Sequence, residues 1–160
     1  MRELAVLLRF LQDSLGNVKD REGTGRFLLP RDPEGRLIFM PSWHHANMRW
    51  ASQVLNKRQG EIRRIFWDPV VVPVEAPVWR RRYSGEAGGR RYALHEVLAA
   101  GNSVVIHCVV PTSISDADLL ELMRLAGQYR GLSPWRPAEN GFFEVREVGI
   151  GSKPRREKTG

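Results

Sequence analysis

One cysteine, Cys108, stands in 160 residues, so no internal disulfide can form. That excludes the small disulfide-stapled scaffolds of oxidising compartments. Cys108 lies inside Val104-Val105-Ile106-His107-Cys108-Val109-Val110 and reads as a small buried hydrophobe. There is no cysteine pair, no HExxH and no cluster of aspartates, so neither a zinc nor a two-metal site is expected. A P-loop and a GxGxxG turn are also missing, and no cofactor is expected. No apolar run approaches the roughly 20 residues that span a bilayer. The start, Met1-Arg2-Glu3-Leu4, puts an acid ahead of a short apolar stretch, unlike a signal peptide. The expectation is a soluble cytoplasmic protein with no membrane partner.

Acidic residues are the minority. Eighteen Asp and Glu face twenty-five Lys and Arg, for a net charge of +7. Most of the cations are arginines and they come in runs. The guanidinium is a planar fork suited to phosphate and base edges, so a polyanionic partner is expected. The length fits one domain with its own hydrophobic core.

Along the chain, residues 4–11 read as a buried strand, with a short amphipathic helix as the competing assignment. Residues 16–36, rich in Gly, Asp, Arg and Pro, read as a long loop. Leu37 to Met40 is a short strand. Ser42 then caps a helix to about Gln59, with Trp43, Asn47, Trp50, Ala51, Val54 and Leu55 on one side and His44, Arg49, Gln53 and Lys57 elsewhere. Arg63–Trp67 and Val70–Val74 make one strand or a hairpin arm. Residues 75–91 are a Gly- and Arg-rich excursion, and 92–100 are ambiguous. Asn102–Val110 is a strand. Ser115-Asp116-Ala117-Asp118 opens a helix with Leu119, Leu122, Met123 and Ala126 as its apolar stripe, closed by Gly131. Gly141–Val148 alternates as a final strand. The domain is expected over 1–148, followed by a basic, disordered tail over 149–160. The order strand, helix, strand, strand, helix, strand is the ferredoxin-like βαββαβ arrangement, an α+β fold with an Arg-rich excursion.

Two segments carry resemblances. Leu37-Ile38-Phe39-Met40-Pro41-Ser42-Trp43-His44-His45-Ala46-Asn47-Met48-Arg49 resembles the strand, Pro, Ser, helix, Arg pattern of the RAMP superfamily, the RNA-binding proteins of CRISPR effector complexes. Asn47 stands where that family usually has Gly. Ala126-Gly127-Gln128-Tyr129-Arg130-Gly131-Leu132-Ser133-Pro134-Trp135-Arg136-Pro137, followed by Gly141-Phe142-Phe143, is similar to a C-terminal signature of small phage and prophage proteins. The RAMP resemblance implies an RNA-binding ferredoxin-like domain. It also implies a loop before the last strand that touches RNA backbone.

The strongest binding signal is basic and aromatic interleaving. Trp79-Arg80-Arg81-Arg82-Tyr83 is followed by Gly88-Gly89-Arg90-Arg91-Tyr92. Arginine neutralises phosphates and aromatic faces stack unpaired bases. The alternative is a solvated hairpin with Trp79 packed on the core. Lys57, Arg58, Arg63 and Arg64 form a second cluster, which a solvated helix end would also explain. Arg49 joins it from the helix. In Trp135-Arg136-Pro137 the prolines stiffen a loop, as a binding element or as a clasp for the last strand.

Three functions follow, in order. The first is non-catalytic binding of single-stranded nucleic acid, RNA before DNA, with other protein subunits of a ribonucleoprotein complex as further partners. The second is a metal-independent RAMP-type endoribonuclease using His44 or His45 as general base. Adjacent helical residues point about 100° apart, so the two cannot act as a facing pair. The third is a protein-interaction module, such as a phage inhibitor or an assembly subunit.

Overall fold

The computed structural model describes residues 1–16, 18–19, 26–39, 41–72, 78–84, 91–133 and 140–150. It is a mixed α+β fold in which strands dominate.

Two long strands form its centre. β1 (Arg2–Phe10) buries Leu4, Val6, Leu8 and Phe10, while Glu3 and Arg9 face water. β10 (Ser103–Val110) buries Val104, Ile106, Cys108 and Val110 with the same period of two. That period settles the first apolar run as a strand, because a helix would bury every third or fourth residue. β1 and β10 pair antiparallel over their length, from Arg2 opposite Val110 to Arg9 opposite Ser103. β11 (Phe143–Ile150) adds antiparallel to the other side of β1, with a register shift at Leu7 and Leu8. It runs two residues past the boundary expected at 148, and Gly149 and Ile150 pair with Ala5 and Leu4. The short β6 (Phe66–Trp67) pairs with Cys108 and Val109, giving the spatial order β11-β1-β10-β6.

Two helices share that core. α1 (Pro41–Leu55) starts on proline, whose fixed φ and missing N–H suit a first helical turn. Ser42, expected as the cap, therefore lies inside the helix. α3 (Asp116–Tyr129) is capped as expected: the Ser115 hydroxyl oxygen accepts the Asp118 N–H at 3.1 Å. Its Leu119, Leu122, Met123 and Ala126 join Met48 and Ala51 of α1 against the sheet. Among the described residues no helix is long and apolar enough to cross a membrane.

The helix face of α1 follows expectation in part: Asn47 and Ala51 are buried, and Trp43, Trp50 and Leu55 pack half-buried against the core. Its buried residues are His44, Asn47, Met48, Ala51 and Ser52, and Val54 is exposed. His44 and Ser52 are polar but buried, and their polarity rotates the apparent apolar stripe toward Trp43 and Val54. Asn47 uses its burial: its side-chain N–H donates to the Gly131 carbonyl at 3.4 Å, tying α1 to the end of α3. The helix also stops before Gln59. Asn56 and Arg58 both take left-handed backbone, φ 51° and 55°, and a separate short α2 (Gln59–Ile62) follows.

Short strands precede and interrupt the expected loop over 16–36. β2 (Ser14–Leu15), β3 (Val18–Lys19) and β4 (Arg26–Leu28) join a second sheet. The expected excursion is an antiparallel hairpin, β8 (Val78–Ser84) against β9 (Arg91–Leu98), with Tyr83 opposite Tyr92. That sheet runs β2-β9-β4-β3, with β8 on β9. Instead of one arm over 63–74, β6 pairs with β10, while β7 (Val70–Val71) pairs with β5 (Ile38–Phe39). Strands of two or three residues leave too few positions for alternation to register.

The second sheet is held by an ion pair with one buried member. Glu96 is 1% exposed. Its carboxylate accepts from Arg31 at 2.7 Å and from the Leu29 N–H at 3.0 Å. Beside it the buried His95 ring stacks on Phe27 at 4.8 Å, and its Nδ1 lies 2.7 Å from the Gly16 carbonyl oxygen.

The glycines of the C-terminal signature have packing roles. A Cβ at Gly127 would fall on the carbonyl and ring of Phe143, where α3 crosses β11. Gly131 and Gly141 both have positive φ, 76° and 69°. They close a turn in which the Leu132 N–H donates to the Gly141 carbonyl at 2.9 Å.

Candidate functional site

α1, α2 and the residue after α2 enclose a cleft of about 480 Å³. His45, Arg49, Ser52 and Gln53 line it from α1. Gln59, Gly60 and Ile62 line it from α2, with Arg63 beyond. His45, Arg49 and Gln53 are spaced four apart, so one helical face presents all three. Among the described residues no carboxylate lines the cleft.

The cations around it divide in two. Lys57 and Arg58 are engaged: Lys57 Nζ lies 2.9 Å from Glu121, and Arg58 lies 3.1 Å from Asp118 and 3.4 Å from Glu61. The hydrogen bond to Glu121 holds Lys57 above the ordinary lysine range, and that to Asp118 does the same for Arg58. The Arg58 contacts tie the corner between α1 and α2 to α3. Arg49, Arg63 and Arg64 are exposed, and none forms an ion pair with a described residue.

The two histidines separate as their spacing required. His44 is 2% exposed and lies parallel to the Trp67 indole, centroids 4.9 Å apart. Burial pushes its pKa down to about 3, with the charge of His45 a smaller cause. A side chain so enclosed has no access to substrate, which removes His44 as a catalytic candidate. Half-buried His45 lines the cleft, and burial lowers its pKa, keeping the imidazole neutral near pH 7.

The hairpin surface lies apart, on the second sheet. Arg80 is exposed and paired with Asp13 at 3.1 Å; Arg81 is exposed. Trp79, expected to pack partly on the core, is 37% exposed and carries the Arg26 guanidinium 5.9 Å from its ring centroid. The backbone of Arg82, Tyr83, Arg91 and Tyr92 is described and their side chains are not. Arg90, Trp135 and Arg136 lie outside the described residues. His107 is half-buried, and its Nδ1 has no partner among the described residues. Burial pushes the Cys108 thiol up to about 12, consistent with a small hydrophobe. Among the described residues no group of three or more His, Cys, Asp or Glu is placed to hold a metal ion.

Gln53 and Gln59 complete the cleft without having been singled out in the sequence. The i, i+4 step from Arg49 to Gln53 was the available signal. Scanned against protein-family models the chain matches none, and no curated protein matches it.

Proposed function

We propose that the chain binds single-stranded nucleic acid through its phosphate backbone, RNA before DNA, as a non-catalytic cytoplasmic component of a ribonucleoprotein or mobile-element complex. The observation that carries this reading is the convergence of Arg49 and Arg63 on one cleft with no described carboxylate in its lining. Guanidiniums already paired to acids hold the fold; unpaired ones in a concavity remain for an anion. The hairpin arginines extend the basic surface. The antiparallel order β11-β1-β10-β6, with α1 and α3 as its helices, supports a ferredoxin-like core.

The test is titration of a labelled single-stranded oligonucleotide at several salt concentrations. Binding that weakens steeply with salt is expected, because each neutralised phosphate releases counterions. No binding at low salt would remove this reading and favour a protein partner.

One observation favours a second reading. Neutral His45 shares the cleft with two arginines, so a 2′-hydroxyl proton acceptor would stand beside phosphate-binding groups. Cleavage of labelled RNA in EDTA that disappears in His45→Ala would establish a metal-independent endoribonuclease.

A further inference from the structure

We propose that the cleft between α1 and α2 is a one-nucleotide pocket, gripping a single phosphate between Arg49 and Arg63 and holding the attached nucleoside against the glutamines. This deepens the nucleic-acid reading and rests on it. The shared ligand chemistry is a phosphate esterified to a nucleoside, whether free or within a strand.

Size is the first support. About 480 Å³ falls in the range of small-ligand sites, roughly 300–1,000 Å³, and well above what an inorganic anion needs. Chemistry is the second. Arg49 comes from α1 and Arg63 from the residue after α2, so two guanidinium forks from different elements line one cleft, which suits a phosphate. The remaining polar lining is neutral. Gln59 donates its side-chain N–H to Asn56 at 2.9 Å, which leaves its oxygen as an acceptor for base or ribose donors. Gln53 brings both a donor and an acceptor. His45, held neutral, adds a ring nitrogen.

Rigidity is the third. The two walls meet at Asn56 and Arg58, both in left-handed backbone without glycine. Such residues persist only where the surroundings hold them, and they concentrate at functional sites. Here the holding groups are Asp118 and Glu61 on Arg58, and the Ile62 side chain buried in the core. The corner therefore fixes Arg63 relative to Arg49 before any ligand arrives.

Gly60 offers a test independent of the arginines. A Cβ there meets nothing within 4 Å, so a side chain can be added without moving the fold. Binding of nucleoside 5′-monophosphates, the matching nucleosides, inorganic phosphate, an acidic peptide and a labelled oligoribonucleotide is measured by titration. The monophosphates are expected to bind at least about tenfold better than phosphate or nucleoside alone. Arg49→Gln and Arg63→Gln each weaken them by about tenfold. Gly60→Asp abolishes their binding with the thermal midpoint retained, and Lys57→Gln leaves it unchanged. Monophosphates bound no better than phosphate, or bound normally by Gly60→Asp, overturn the pocket. If the oligoribonucleotide still binds with wild-type affinity in the cleft variants, the nucleic-acid reading survives on another surface. Monophosphate binding without oligoribonucleotide binding keeps the pocket and removes the strand. Binding of neither removes both readings, and acidic-peptide binding lost in the same variants assigns the cleft to a protein.

Discussion

The His44 imidazole lies flat against the Trp67 indole, ring centroids 4.9 Å apart and planes inclined by 14°. The contact joins α1 to the edge strand β6, and it fixes how the fold responds to acid. Unfolded, His44 binds a proton near pH 6.5; folded, it stays neutral until about pH 3. The unfolded state thus holds more protons between those values, so stability falls as pH drops through that window and is untouched above it. The slope from one such group is about 1.4 kcal/mol per pH unit. His44→Phe keeps an aromatic ring on Trp67 and removes the titration. Denaturant midpoints from pH 7 to pH 4 should fall less steeply in the variant; equal slopes would mean His44 charges within the native state.

Arg31 and Glu96 hold the second sheet. Removing one member of a buried pair leaves the other's charge uncompensated, at about 3–5 kcal/mol. Arg31→Met should cost more than Glu96→Gln, because Glu96 has 1% of its side chain exposed while Arg31 has 34% and reaches water. Urea unfolding of both variants checks the order.

Gly127→Ala places a methyl on the Phe143 carbonyl. Forcing α3 off β11 should cost about 1–3 kcal/mol. A thermal midpoint equal to wild type would show that the crossing yields freely.

Lys57→Gln should change stability by less than about 1 kcal/mol, since exposed pairs contribute little. Its oligonucleotide affinity should stay near wild type, unlike that of Arg63→Gln. Comparable losses in both variants would erase the division between paired and unpaired cations.

The centre of the fold was readable because its signals are local. β1 and β10 announce themselves as apolar runs, and α3 as a capped stripe. The hairpin β8–β9 was legible only as the alternative reading, since Val78–Ser84 carries three successive arginines and shows no apolar alternation. The face of α1 was read in part: Trp43, Asn47, Trp50, Ala51 and Leu55 do turn to the core, while His44 and Ser52 are buried against type and Val54 is exposed. Of the cleft, His45, Arg49 and Arg63 were legible as residues with chemistry. That they share one cavity was not. Their meeting depends on two left-handed residues, Asn56 and Arg58, that nothing in residue type foretells. Gln59 carries no charge and gave no signal, and Gln53 gave only its i, i+4 step from Arg49.

The central claim is that Arg49 and Arg63 contact phosphates. Its most direct test is the slope of log affinity against log salt for single-stranded RNA, in wild type and in Arg49→Gln/Arg63→Gln. Each neutralised phosphate on a single strand contributes about 0.7 to that slope. The double variant releases the one phosphate held between them and should therefore lose about 0.7 from it while keeping its thermal midpoint. An unchanged slope would contradict the claim and move the phosphate contacts off the cleft.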